Sequence, residues 1–180
     1  MDIAVRTARE EDLDAAGRIT AAVFVGDGHT SADSDYVALL RDARTRAAEA
    51  ELLVAVDRAA ADRPAADRPA GPRDAPAAVL GSVTLALPGS AWADIARPDE
   101  GELRMLAVSP AARGRGVGEA LVRAAMDRVR AQGLPRMAFS TQQGMHAAHR
   151  LYERVGFRRA PERDWSPFPG VDLWVYAADL

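Results

Sequence analysis

The sequence predicts a mixed α/β (α+β) fold, with a central mixed β-sheet of six to seven strands flanked by about four helices. Three observations predict it. Strand-like and helix-like apolar spacings interleave along the chain in the order β, α, α, β, β, β, α, β, α, β, β. The length of 180 residues, 48% apolar and 27% charged, suits a single domain over residues 1–180. A loop with three alternating glycines, Arg113-Gly-Arg-Gly-Val-Gly118, joins a strand pattern to a helix pattern, where bare backbone lets something approach closely.

Ile3–Arg6 alternates as a short strand. Glu10-Glu-Asp-Leu-Asp14 opens a helix, its acids set against the helix dipole, and Leu13, Ala16, Ile19 or Thr20, and Val23 follow at helical spacing. Asp27–Ser31 breaks the pattern. A second helix is predicted from near Asp33 to Ala50, with Tyr36, Leu39, Leu40 and Ala43 on one face. Leu52–Val56 reads as a strand. Residues 59–78 contain Ala-Asp-Arg-Pro twice and four prolines, without apolar periodicity. They are expected to be a flexible, enlarged hairpin loop, because the residues before them hold too little core to stand alone. Strands follow at Val79–Leu87 and Glu102–Val108. A helix spans Gly116–Gln132, ended by Gly133-Leu-Pro135. Arg136–Ser140 is a strand and Met145–Val155 a helix closed by Gly156. Phe157–Arg159 and Val171–Tyr176 are the last strands.

Composition narrows the function. Cysteine and lysine are both absent, which excludes disulfides, thiolate metal sites, a cysteine nucleophile, a lysine Schiff base and a P-loop lysine. No apolar run approaches a membrane span, and the first residues lack the pattern of a secretory signal. A cytoplasmic protein with no membrane partner is expected. The net charge of −3 speaks against nucleic acid as the main partner, and the short Arg-Gly run lacks an aromatic stacking platform for RNA. Charge is unevenly spread: residues 1–100 carry 11 arginines against 18 acids, and residues 101–180 carry 12 against 8. The half with the glycine loop is the half that attracts an anion.

A helix N-terminus carries unpaired amides and about half a positive charge, so a phosphate or pyrophosphate is the natural guest of that loop. Walker A is excluded by the missing lysine, and the dinucleotide fingerprint fails because position 119 is Glu. Arg113-x-x-Gly116-x-Gly118 after ELRMLAV instead resembles the acetyl-coenzyme A signature of the GNAT family of N-acetyltransferases. The helix Ala147-Ala-His-Arg-Leu-Tyr-Glu-Arg-Val-Gly-Phe157 resembles that family's second motif, and IAVRTAREEDLDAAGRI resembles its usual first strand and helix. The resemblance spans most of the chain apart from residues 59–78. It implies the GNAT fold and transfer of an acetyl group from acetyl-CoA, as cosubstrate, directly to a primary amine of a small molecule or peptide within a ternary complex. A non-catalytic acyl-CoA sensor of the same fold is the alternative.

By that resemblance, amides from Arg113, Gly114, Arg115, Gly116, Val117 and Gly118 hold the pyrophosphate. Main-chain groups of Leu106, Ala107 and Val108 hold the pantetheine arm and acetyl carbonyl, where they would also steady an oxyanion. Tyr152 matches the tyrosine that protonates the departing thiolate. Glu102 matches the place of a catalytic glutamate that takes the amine's proton through water. Packing is the competing role for Tyr152, and an arginine partner or strand-end acid for Glu102. Many family members carry Asn where this chain has Met145, so a pantetheine contact is lost or moved, with Gln142, Gln143 or His146 as replacements. His146 and His149 lack the acid of a zinc-protease motif, and no metal is expected. Asp27, Asp33 and Asp35 suggest a cationic acceptor. Trp165, Phe168, Trp174 and Tyr176 either wall its pocket or pack. A homodimer is compatible with the sequence.

Overall fold

The computed structural model describes residues 2–58 and 79–180, so the segment expected as a flexible loop at 59–78 lies outside the described residues. In chain order the elements are β1 (Ile3–Thr7), α1 (Glu10–Gly26), α2 (Tyr36–Arg41), α3 (Ala43–Glu49), β2 (Glu51–Asp57), β3 (Val79–Ala86), β4 (Glu100–Val108), α4 (Val117–Ala131), β5 (Arg136–Gln142), α5 (His146–Arg154), β6 (Arg158–Arg159), β7 (Trp165–Phe168) and β8 (Val171–Asp179). The strands form one eight-stranded sheet in the order β1-β2-β3-β4-β5-β8-β6, with β7 on β8. Every ladder is antiparallel except β4 with β5.

The sheet is buried on both faces, which β2 shows most simply. Leu53 and Ala55 join the core under α4 and α5, while Leu52, Val54 and Val56 join the core under α1. A strand covered on both sides reads as a continuous apolar run rather than an alternation, hence Leu-Leu-Val-Ala-Val. On one face α4 seats Val117, Leu121, Val122, Ala125, Met126 and Val129, each large apolar side chain contributing about 1.5–3 kcal/mol when fully buried. Its end at Gln132–Gly133 (Gly133 φ +74°) follows the glycine stop read from the sequence.

Two expectations need correction. The helix predicted from Asp33 to Ala50 is two helices, split at Asp42 (φ −78°, ψ 73°). The Asp42 carboxylate accepts from the Thr45 amide (2.9 Å) and hydroxyl (2.6 Å), starting α3 afresh. The carbonyls freed by the split go to Arg46, fully buried, whose guanidinium donates to Leu40 O (2.9 Å), Asp42 O (3.4 Å) and the Thr84 hydroxyl (3.1 Å). A buried arginine without a carboxylate is a poor expectation from sequence. The sheet also has eight strands rather than six to seven, because Trp165-Ser-Pro-Phe168 pairs with β8 across a hairpin despite its proline. β7 is held only on its β8 side, where an edge proline is tolerated.

Candidate active site

Strands β4 and β5 start parallel and then part. Their pairing covers only Glu100↔Arg136, Gly101↔Met137 and Glu102↔Ala138, although β4 continues to Val108 and β5 to Gln142. A bulge in β4 accompanies the parting. The β3 register slips between Ser82↔Ala107 and Thr84↔Arg104, leaving an extra residue on β4, and Met105 takes φ +54°. A non-glycine residue there costs about 1–2 kcal/mol, and bulges bend a strand and redirect its side chains. Backbone directions alternate along a strand. The Ser109 amide donates to Leu80 O (2.8 Å) on the β3 side, and a Cβ on Gly81 would lie 2.6 Å from Ala107 O. The peptide groups of Leu106 and Val108 therefore face the gap that β5 has vacated.

At the mouth of that gap lies the glycine loop. Gly114 (φ +71°) and Gly116 (φ +83°) take left-handed conformations, and Gly116 caps α4. The first helical bond is Ala120 N–H to Gly116 O (2.9 Å), so the amides of Val117, Gly118 and Glu119 have no intrahelical acceptor. No atom lies within 4 Å of a Cβ built on Gly114 or Gly116, while one on Gly118 would meet Leu151 Cδ2 at 3.1 Å. Three amides at a helix start, open above, fit a pyrophosphate. Arg113 adds charge beside them and pairs with Asp27 at the end of α1 (2.7 Å).

A continuous cleft of about 1730 Å³ runs from this loop through the gap to a chamber beyond, larger than a single small-molecule pocket of roughly 300–1,000 Å³. Of the site residues read from the sequence, Leu106, Val108, Arg113, Gly114, Gly116, Val117, Gly118 and Tyr152 line it. Three do not. Ala107 is buried, with its carbonyl against β3. The Arg115 side chain is exposed, reaching Ala111 O at 3.5 Å. Glu102 is buried, and its Oε2 accepts from the amides of Asp94 (2.8 Å), Ile95 (2.8 Å) and Ala96 (3.0 Å). Burial pushes the Glu102 carboxyl pKa up against the pull of those amides. Here the carboxylate is an anchor for the β3–β4 loop.

Tyr152 sits on α5 against Phe139, ring centroids 3.8 Å apart, and is 5% exposed. Burial raises its phenol well above the ordinary value, so it is protonated at neutral pH. Met145, at the start of α5, accepts the Thr141 hydroxyl on its sulfur (3.2 Å) and lines the cleft. Gln142, named as a replacement for the missing Asn, instead spends its amide on His29 O (2.8 Å). His149 stacks between Trp174 and Tyr176, with Nε2 3.1 Å from Gln142 O, and burial lowers its pKa. The four C-terminal aromatics divide: Trp165 and Phe168 line the cleft, while Trp174 and Tyr176 pack on His149, and Tyr176 also on Phe139. Among the described residues no group of three His, Asp or Glu side chains is placed to hold a metal ion, and no helix is long and apolar enough to cross a membrane.

The sequence missed Tyr36, Trp92, Asp94 and Arg104, all on the cleft wall. Arg104 belongs to a strand that reads as apolar, and its pairing opposite Thr84, just before the bulge at Met105, sets which way it points.

A parted strand pair, a bulge beside the gap and a helix opening onto it make one cleft with open amides at its mouth. The chain belongs to the acetyltransferase (GNAT) family, whose family model matches residues 37–157. Over 72 residues it is 39% identical to mycothiol acetyltransferase of Beutenbergia cavernae, covering 40% of this chain and 24% of that protein. The chain thus spans about a quarter or less of the length of the curated relatives it matches. Many solved structures share the fold, among them the following two. The GNAT-family acetyltransferase of Staphylococcus aureus superposes with a TM-score of 0.70 at 14% identity, covering 99% of each chain. The PaiA N-acetyltransferase of Thermoplasma acidophilum, solved with coenzyme A, gives 0.67 at 14% identity, covering 100% of each.

Proposed function

We propose that the chain is an acetyl-CoA-dependent N-acetyltransferase that moves the acetyl group directly to a primary amine, both substrates lying in one cleft. The observation that carries this is the gap between β4 and β5 opening onto the amides of the glycine loop. In this reading Gly114, Gly116, Val117 and Gly118 receive the pyrophosphate, with Arg113 released from Asp27 to join them. The Leu106 and Val108 peptide groups bond the pantetheine arm. One of their amides donates to the acetyl oxygen, whose charge grows during attack, in a site where preorganised donors are most effective. Proximity of the two substrates supplies much of the rate.

With no cysteine in the chain, attack is direct. The C–N bond forms, the C–S bond breaks, and the ammonium sheds two protons, one to solvent and one that restores Tyr152 after the phenol has given its own proton to the departing sulfur. Tyr152 supplies the proton that reaches sulfur. Burial raises both the phenol and a thiolate formed beside it, so the match between them survives desolvation. Glu102 acts by holding the loop that carries Trp92 and Asp94, and the amine loses its proton to water in the cleft. Calorimetry with acetyl-CoA and a thiol-release assay against an amine panel test the reading. Saturable binding with amine-dependent thiol release is expected. Binding without release of thiol on any amine supports a sensor, and a folded protein that does not bind at millimolar acetyl-CoA overturns both.

A further inference from the structure

The chamber beyond the gap has unspent hydrogen-bond donors. Arg104, its side chain 17% exposed, donates through Nη1 to Trp92 O (2.7 Å) and Asp94 Oδ2 (2.8 Å). Its guanidinium also meets the Tyr36 phenol, whose oxygen takes a hydrogen bond from it, leaving the phenol O–H to donate. A guanidinium has five N–H donors, so Arg104 keeps donors beyond these three contacts. Trp165 Nε1 is buried without a partner. These three side chains line the same cleft. Arg163, two residues before Trp165, donates to Ile95 O (3.0 Å), which ties the segment before β7 to the loop that carries Asp94. A buried donor left unpaired is costly, and Trp165 Nε1 with the Tyr36 O–H and the remaining Arg104 N–H groups suits an acceptor-rich group such as a carboxylate.

Two of the three acids that suggested a cationic acceptor are engaged, while Asp35 is exposed and lines the cleft. Asp27 pairs with Arg113 and Asp94 with Arg104, while Asp33 takes the Ser31 hydroxyl. A polyamine or a lysine side chain would meet the Arg104 guanidinium here. The chamber also has an apolar wall. Leu39 (41% exposed) and Phe168 (68%) are the large hydrophobic side chains that the described residues leave open to solvent, and both line this cleft together with Phe24 and Trp92. Exposed apolar side chains gathered at one site mark a binding surface.

Resting on the acetyltransferase reading, we propose that the acceptor is a free α-amino acid with a large apolar side chain. Its carboxylate takes the free edge of Arg104 and the Tyr36 hydroxyl, with Trp165 Nε1 as a further donor. Its side chain lies between Leu39 and Phe168, and Asp94 faces the α-ammonium before it loses its proton. The amine nitrogen then takes the acetyl carbon, and coenzyme A leaves as the thiol.

The test is thiol release by the full chain with acetyl-CoA and leucine, methionine, phenylalanine or tryptophan, each beside its decarboxylated amine and its carboxamide, with spermidine as the cationic comparison. A site built around a polar group rejects the analogue lacking it strongly, so kcat/KM for the amino acids should exceed that for the amines by at least about 10-fold. Tyr36→Phe should raise KM about 10-fold for the amino acids and leave KM for the decarboxylated amines unchanged. The proposal is overturned if amines, carboxamides or spermidine match the amino acids, if Tyr36→Phe shifts both classes equally, or if acetyl-CoA binds by calorimetry and no amino acid is acetylated. Absence of acetyl-CoA binding is a different result: it removes the acetyltransferase reading itself, and this inference with it.

Discussion

Tyr152 and Glu102 show how two side chains named for similar chemistry part company once placed. The Tyr152 phenol lines the cleft from a packed position on α5. Tyr152→Phe keeps the ring contacts with Phe139 and Phe157 and removes one proton. Its kcat should fall by about 10²-fold, with acetyl-CoA affinity by calorimetry and thermal stability nearly unchanged. Unaltered turnover would take Tyr152 out of the reaction. Glu102 predicts the opposite pattern. In Glu102→Gln an oxygen remains for the amides of residues 94–96, but charge-assisted bonds become neutral ones. Urea denaturation should show a loss of about 1–3 kcal/mol, with kcat largely kept. A general base would lose about 10²–10⁴-fold in kcat and the corresponding limb of the pH profile.

The elements divide the work. β4 carries the bulge at Met105, β5 parts from it beyond Ala138, and α4 opens at the mouth of the gap with a glycine cap. Gly116→Ala isolates that cap, because no atom crowds its Cβ and the cost is torsional, about 1 kcal/mol. Relaxing the loop to avoid φ +83° turns the amides away from the pyrophosphate. Acetyl-CoA affinity should therefore fall, measured by calorimetry. Gly133→Ala is the control: its φ of +74° and empty surroundings match, yet it sits at the other end of α4 and should cost stability without affinity.

A second link is electrostatic. Arg163, in the segment joining β6 to β7, grips the buried Glu100 carboxylate at the start of β4 (2.7 and 3.1 Å). Burial pushes the Glu100 carboxyl up, and the Arg163 guanidinium and Arg97 amide outweigh it, leaving the pKa below the usual range. A depressed folded pKa adds stability above the unfolded value of about 4.3, and that stability disappears as pH falls through the folded pKa. Tm should drop between about pH 4.3 and more acid solution, and Glu100→Gln should flatten that drop while lowering Tm at neutral pH.

At the scale of the molecule, one cleft crosses the sheet at its parallel strand pair, with the open amides of the glycine loop at one end and the chamber of Tyr36, Arg104 and Phe168 at the other. A ligand that fills it binds the folded state alone. Acetyl-CoA at 100 times its Kd should add about 2.7 kcal/mol, which for a chain of 180 residues raises Tm by roughly 5–10 °C. A thermal scan with desulfo-coenzyme A beside adenosine diphosphate separates the contribution of the gap from that of the loop. The longer ligand should give the larger shift.

The order of elements, the glycine loop and the apolar face of α4 were legible along the chain because each is a local pattern: period 2, period 3.6, or a residue that tolerates a positive φ. Family membership was legible for the same reason, its motifs being short and contiguous. Tertiary structure alone decided that Asp42 splits a helix, that Trp165–Phe168 is a strand, that Glu102 faces a loop, and that Arg104 faces the chamber beside Tyr36. Each of these depends on a partner that no periodicity records: Thr84 beside Arg46, β8 folded back on β7, the 94–96 amides folded back on Glu102. A one-residue bulge sets the direction of every side chain after it on β4. No periodicity in the sequence records that bulge, because packing between β3 and β4 creates it.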